Sequence, residues 1–387
     1  MIERSVEGEA CLASALRTGD SLEAPEKIQN EPASRTQDHW DRHGVGVIMN
    51  VLLTCVGRRR YLVEYLKAEL NGTGMVLGVD NQRSAPAANV CDIFLLAPDV
   101  YAESYIDYLV DVCRTRQVSA LLSLNDLELP LIAEHAQRFR DVGTVPVVSP
   151  AEVIRLCADK LMTARFAESI GVSTPRSYAT LQSAEDALAA GCITYPLVVK
   201  PRWGSASFGI FFVESREELR FAHAYCARIW LQSKFARMGE PDALVLIQEM
   251  VSGQEYGLDI FNDLEAAPVG LAVRKKLSMR AGETDRAITV ESGPFSDMAA
   301  RISRGLRHIG NLDCDVIVRD GQQYLLEMNP RFGGGYPFTH LAGANLIRVL
   351  LNCLRGTHQG EEIRYQAGLE LAKCDFLASV EAPAGQA

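Results

Sequence analysis

No two cysteines of this 387-residue sequence stand at C-x-x-C spacing, and its ten cysteines and seven histidines nowhere gather at zinc-ligand intervals. A disulfide framework and a structural zinc site are therefore not expected, and scattered single thiols suit a reduced, cytoplasmic protein. Long apolar runs are missing too. The strongest early one, residues 45–56, is too short to cross a bilayer and is interrupted by Asn50. Residues 1–44 lack the apolar centre of a signal peptide, so neither export nor a membrane partner is expected. Positive charge is in deficit: 39 Lys and Arg against 49 Asp and Glu give a net charge of -10, which argues against a nucleic-acid surface while allowing a local basic pocket for small anions. Two phosphate-binding fingerprints are also absent. Where Gly-x-Gly-x-x-Gly would follow the first strand stands Thr54-Cys55-Val56-Gly57-Arg58-Arg59, and no glycine loop ends in Gly-Lys-Ser/Thr. No Ser/His/Asp or Cys/His pattern offers a protein nucleophile.

What is present is a chain nearly half hydrophobic, enough for two or three packed units. Residues 1–48 are polar, poor in large apolar groups and expected to be a disordered leader, with Met49 the expected effective start of the functional protein. From there strand, turn and helix alternate. Apolar runs at 51–56, 75–79 and 120–124 and helical periods at 61–70 and 105–114 predict a small parallel α/β domain over 49–150. After Pro150 a single helix is expected through Cys157 to Ile170. Strand-like pieces follow at 197–200, 210–214, 244–250, 256–261, 267–273, 314–319 and 324–328, the last two joined by Asp320-Gly321. These predict antiparallel sheets with helices packed on one side, an α+β body over 151–355, and a C-terminal extension over 356–387.

Three clusters carry chemistry. In Glu327-Met328-Asn329-Pro330-Arg331, followed by Gly333-Gly334-Gly335, the period of two puts Glu327 and Asn329 on one strand face. That supplies paired oxygen ligands for a hard cation, with Arg331 beside them and Asp315 across the Asp320-Gly321 turn as a further carboxylate. In the second, a strand ends in Lys200 and a small-residue loop from Gly204 through Ser205 and Ser207 to Gly209 offers free amides to phosphates; a plain hairpin turn is the alternative. In the third, Gln248 and Glu249 precede a turn at Gly253, so backbone groups of Glu249, Met250 and Val251 can read an adenine edge while Glu255 holds ribose hydroxyls or a nearby donor.

Taken in order, Asp159-Lys160, Lys200-Pro201 with its loop, Gln248-Glu249 with Glu255, Asp315, and Glu327-x-Asn329-Pro330-Arg331 resemble the ATP-grasp superfamily, closest to its carbamoyl-phosphate-synthase-like and carboxylate-amine ligase members. The resemblance covers roughly residues 49–350. It implies a pre-ATP-grasp domain followed by a two-lobed grasp with a lid lobe at about 176–252, Lys160 and Lys200 on ATP phosphates, Gln248 to Val251 at adenine and Glu255 at ribose. It also implies two magnesium ions, replaceable by manganese, on Asp315, Glu327 and Asn329. Arg274 and Arg331 are the candidates for the acyl phosphate and the substrate carboxylate, because planar guanidinium suits oxyanions. The implied reaction activates a small carboxylate as an acyl phosphate and joins it to an amine, with amino acids among the candidate substrates and a homodimer as the default assembly. Carbamoyl-phosphate or carboxyphosphate chemistry on bicarbonate is the rival reaction, and a catalytically silent ATP-binding scaffold the rival of another class.

Overall fold

The computed structural model describes residues 48–378 except 206, 240–242, 361 and 376. All but the last residue of the expected leader lies outside the described residues. Five parallel strands come first: β1 (Asn50–Thr54), β2 (Val76–Asp80), β3 (Ile93–Leu96), β4 (Val118–Ser123) and β5 (Val145–Val147), in the order β3-β2-β1-β4-β5. Between them run α1 (Arg60–Leu70), α2 (Tyr105–Thr115) and the short α3 (Leu129–Glu134) and α4 (Ala136–Arg140). Every residue of β1 is buried, because each sheet face is covered. Val51 and Leu53 pack with Leu62 and Leu66 of α1, while Leu52 packs with Leu109 and Val112 of α2. The turn after β1 needs glycine: Gly57 has φ +45° and donates its N–H to Asp80 at 2.9 Å. That turn leaves Arg58 and Arg59 at the C-terminal edge of the sheet, where parallel sheets present their ligands.

Next come α5 (Ala151–Ala158) and α6 (Lys160–Ser169). One helix is expected across this stretch; instead the chain breaks at Asp159, which is extended and accepts hydrogen bonds from the N–H groups of Leu161 and Met162 as the N-cap of α6. The apolar period runs through both helices without glycine or proline at the joint, so only the capping preference of Asp marks the break. A bidentate pair with Arg202, at 2.7 and 2.6 Å, fixes the cap. Asp159→Ala is expected to destabilise the protein by about 1–2 kcal/mol through the lost cap alone. Urea unfolding tests this, and Asp159→Asn, which keeps a capping oxygen, should cost less.

The chain then builds β6 (Ser177–Tyr178), α7 (Leu181–Ala189), β7 (Leu197–Pro201), β8 (Phe211–Val213), α8 (Arg216–Leu231) and β9 (Val245–Glu249). The strands form an antiparallel sheet ordered β6-β9-β7-β8, covered by the helices through Ala184, Leu219, Cys226 and Trp230. A larger antiparallel sheet is made from β10 (Gln254–Asn262), β11 (Pro268–Arg280), β12 (Glu283–Val290), β13 (Gly310–Arg319), β14 (Gln322–Asn329) and β15 (Glu370–Ala372), in the order β14-β13-β10-β11-β12-β15. Helices α9 (Ser296–Leu306), α10 (Tyr336–Leu341) and α11 (Leu346–Leu354) complete the body. Leu258, Ile260, Val273, Cys314 and Met328 pack with Met298 and Ile302 of α9. The alternate residues form the opposite, polar face.

β11 runs past its expected end, and β12 is an addition to the expected strands. Its buried residues are Thr284, Ala287 and Thr289, which give little apolar signal. Asp320 and Gly321, at φ +51° and +80°, make the expected tight turn between β13 and β14. Eight described cysteines are free thiols. Among the described residues no helix is long and apolar enough to cross a membrane.

Candidate active site

Strand register assembles the polar face. Asp315 on β13 lies opposite Glu327 on β14 and opposite Gly257 on β10; Gly257 in turn lies opposite Arg274 on β11. One step along, Asp313 lies opposite Asn329 and Asp259. Directly opposed residues share a face, so four adjacent strands place their carboxylates, amide and cations on one surface. A register shift just after the Asp315–Glu327 pair marks a bulge, a usual device for aiming side chains at a site. Gly257 is needed because a Cβ there would lie within 2.7 Å of the Arg274 guanidinium crossing over it.

Each charge on this face has a defined partner. Arg274 is 1% exposed, with Nη1 on Asp259 at 2.6 Å and Nη2 on Asp313 at 2.5 Å. Burial alone would lower its pKa, but Asp259, Asp313 and Asp315 outweigh that and hold it raised. Lys276, also buried, reaches Asp315 at 2.6 Å and Glu255 at 3.6 Å. Asp315 is pushed up to about 6, first by burial and then by Glu327 and Asp313, against the pull of Lys276. Arg331 makes a bidentate pair with Asp126 of the first domain, both contacts 2.8 Å, and lies 3.7 Å from Asp313. Burial favours the neutral form of Asp126, yet Arg331 and, behind it, Lys160 and Arg59 bring its pKa below the ordinary value.

The phosphate-side lysines converge on the same place. Lys160, the first residue of α6, donates to the Gly204 carbonyl at 2.5 Å and stands 3.8 Å from Glu327. Lys200 near the end of β7 is brought down to about 8 by burial first and by Lys160 second, with Glu327 and Asp315 opposing. Ser205, Asp315, Glu327, Asn329 and Arg331 line one open cleft together. Two facing carboxylates with an amide oxygen beside them are a hard-oxygen donor set that fits Mg2+; among the described residues no group of three His, Cys, Asp or Glu forms an alternative metal site.

Comparison with known proteins agrees with this geometry. The family description "PylC-like, N-terminal domain" matches residues 51–148 and the description "ATP-grasp domain" matches residues 157–335. By that match, residues 157–335 are an ATP-grasp domain. Two curated relatives of this chain are the vancomycin/teicoplanin A-type resistance protein VanA of Enterococcus faecium and the D-alanine–D-alanine ligase of Ectopseudomonas mendocina (strain ymp). VanA is 28% identical over 193 residues, 45% of this chain and 52% of that protein; the ligase is 28% identical over 185 residues, 45% and 55%. The chain thus spans about half the length of the curated relatives it matches. Among solved structures, an ADP complex of N5-carboxyaminoimidazole ribonucleotide synthetase superposes with a TM-score of 0.64 at 13% identity, covering 83% of this chain and 80% of that one, a likeness of fold.

Within the ATP-grasp fold, Lys160, Lys200, Ser205, Asp315, Glu327, Asn329 and Arg331 come together, and Glu255 joins them through Lys276. The adenine candidates are placed differently. Gln248 is buried and donates to Ser177 at 2.6 Å, and the N–H of Glu249 is taken by the Arg176 carbonyl. Glu249 lines a separate cleft with Arg176, Arg319 and Tyr324. Ser207 sits at φ +57° in its loop and is not among the residues lining the cleft. Sequence reasoning missed Lys276, Asp313, Asp259 and the role of Asp126. Alternation along β11 and β13 could have found the first two, since Arg274 and Lys276 share a face, as do Asp313 and Asp315; Asp126 comes from another domain and carries no local signal.

Proposed function

We propose that this ATP-grasp protein is an ATP-dependent carboxylate-amine ligase that uses two Mg2+ ions and makes an amide through an acyl phosphate. The observation that carries this reading is the cleft shared by Asp315, Glu327, Asn329 and Arg331, with Lys160 at 3.8 Å from Glu327 and Lys200 in the field of Glu327 and Asp315: cations for a polyphosphate beside hard-oxygen ligands for its metal. Asp315, Glu327 and Asn329 would hold the metal, which when bound neutralises phosphate charge. Lys160 and Lys200 bind phosphate oxygens as the carboxylate oxygen attacks the γ-phosphorus and ADP leaves. Arg331, held rigid by Asp126, stabilises the developing acyl phosphate and then the tetrahedral oxyanion when the amine attacks and phosphate departs. The loop over 204–209, tied to Lys160 through Gly204, keeps water from the activated acyl group.

The test is ADP release from magnesium ATP by the purified protein across a panel of carboxylates and amines. ADP formation that requires both a carboxylate and an amine, with an amide as product, is the expected result. ADP with bicarbonate alone, or ATP binding with no turnover, would overturn it. Lys200→Met is expected to raise KM for ATP roughly ten- to hundredfold, the range for a lost charge-assisted hydrogen bond.

A further inference from the structure

One buried lysine of the cleft has no part in the reaction proposed above. Lys276 of β11 shares the polar face with Arg274, because alternation along the strand turns the intervening Lys275 the other way. Its backbone is pinned by Gln254, whose amide donates to the Lys276 carbonyl at 2.7 Å. The side chain is only 5% exposed yet lines the cleft, with its ammonium 2.6 Å from Asp315 and 3.6 Å from Glu255. Asp315 is one of the two carboxylates assigned to the metal. Lys276 and a divalent cation therefore compete for the same carboxylate.

The charges around that carboxylate decide the competition. Asp315 and Glu327 meet three ammonium groups: Lys276 on Asp315, Lys160 at 3.8 Å from Glu327, and Lys200 in the field of both. The deeper acids add little attraction, because Asp259 and Asp313 share Arg274 and Asp126 is taken by Arg331. Glu255, the outer acid, also has Lys276 as its partner. Two carboxylates already outnumbered by lysines are a poor trap for Mg2+, an ion that gives up its water reluctantly. A triphosphate reverses the balance, since it draws the lysines to its own oxygens and presents further oxygen ligands to the ion. The four-carbon stem of a lysine is flexible enough to turn its ammonium from Asp315 toward a phosphate.

We propose that Lys276 makes metal binding conditional on nucleotide: its ammonium holds Asp315 until a triphosphate is bound, so a free divalent cation does not settle between Asp315 and Glu327. This rests on the assignment of Asp315 and Glu327 as metal ligands in the reading above. Lys276 is a positioning residue that acts through Asp315. The consequence is an order of events in which metal and nucleotide enter together, and the carboxylates are not fixed around an ion in a geometry set without the phosphates. By reciprocity, the metal strengthens nucleotide binding more in the unaltered protein than in one whose lysine is neutralised.

The experiment titrates the full-length protein with Mn2+ in the absence of nucleotide and follows the free ion by its electron paramagnetic resonance. Lys276→Met is expected to bind Mn2+ roughly ten- to hundredfold more tightly than the unaltered protein, the factor for a charge-assisted hydrogen bond that no longer has to be broken. Lys276→Arg, which keeps the charge, should stay weak, and adding Glu327→Gln to Lys276→Met should abolish the gain. Lys276→Gln, which keeps a hydrogen-bond donor beside Asp315, gives the same test should the methionine variant fold poorly. With a non-hydrolysable ATP analogue present, water-proton relaxation separates Mn2+ on the protein from Mn2+ on free nucleotide, and the unaltered protein should then bind the ion well. A lysine with a merely structural role would, when replaced, lower the melting temperature and leave nucleotide-free Mn2+ affinity where it was. That result, or tight Mn2+ binding by the unaltered protein without nucleotide, overturns this inference and leaves the metal site standing. If neither the protein nor its variants hold Mn2+ even with the analogue, the assignment of Asp315 and Glu327 falls and takes this inference with it.

Discussion

Glu327→Gln is expected to reduce ADP formation on the order of 10³-fold in kcat while leaving the fold intact. The magnitude is that of removing one preorganised electrostatic partner from a developing phosphoryl charge, at the upper end because a metal ligand is lost with it. Glu327 is positioned by register rather than by a tight pair: it faces Asp315 across the β13–β14 ladder, stands 3.8 Å from Lys160 and is approached by the Asn329 amide at 3.5 Å. Its carboxylate is therefore available to a cation, and glutamine keeps the shape but halves the oxygen donors and removes the charge. Thermal unfolding should be nearly unchanged, since no buried partner is orphaned. A variant that turns over ATP within a few-fold of the unaltered protein would remove Glu327 from the metal site. One that loses activity together with its cooperative melt would make the residue structural.

The parts of this site legible in the sequence were those in which one short segment holds the whole signal. Glu327-x-Asn329-Pro330-Arg331 places two donors and a guanidinium within one strand end, so the period of two suffices to read it. The same period could have drawn Lys276 from the basic run at 274–276, but three consecutive cations look like a solvated edge, and only the structure shows that Arg274 and Lys276 are buried while Lys275 faces the other way. The break between α5 and α6 was hidden because capping by Asp159 leaves no trace in the hydrophobic pattern. The contacts Arg331–Asp126 and Arg59–Glu283 join residues more than two hundred positions apart, and no local rule encodes them. β12 escaped for a different reason: small polar residues fill its buried positions, so the strand is stabilised by its neighbours β11 and β15 rather than by its own composition.

Arg274→Met should be the most destabilising substitution of the set, at about 3–5 kcal/mol, because it leaves two interior carboxylates facing one another without their shared cation. Asp259 is fully buried; besides Arg274 it accepts from Thr339 at 2.6 Å and from Asn311 at 3.1 Å. Those neutral donors cannot balance its charge. Asp313 keeps Arg331 at 3.7 Å, a weaker contact than the 2.5 Å one it loses. Such a loss is a large share of the 5–15 kcal/mol that holds a typical domain together. Arg274→Lys is expected to recover only part of it, since a single ammonium cannot span both aspartates as the two Nη nitrogens do. Adding Asp259→Asn to Arg274→Met should restore stability by removing the orphaned charge, a coupling that a double-mutant cycle of unfolding free energies measures directly. If Arg274→Met instead melts like the unaltered protein and loses only turnover, the guanidinium is held for the substrate and its pairing with the aspartates contributes little to the fold.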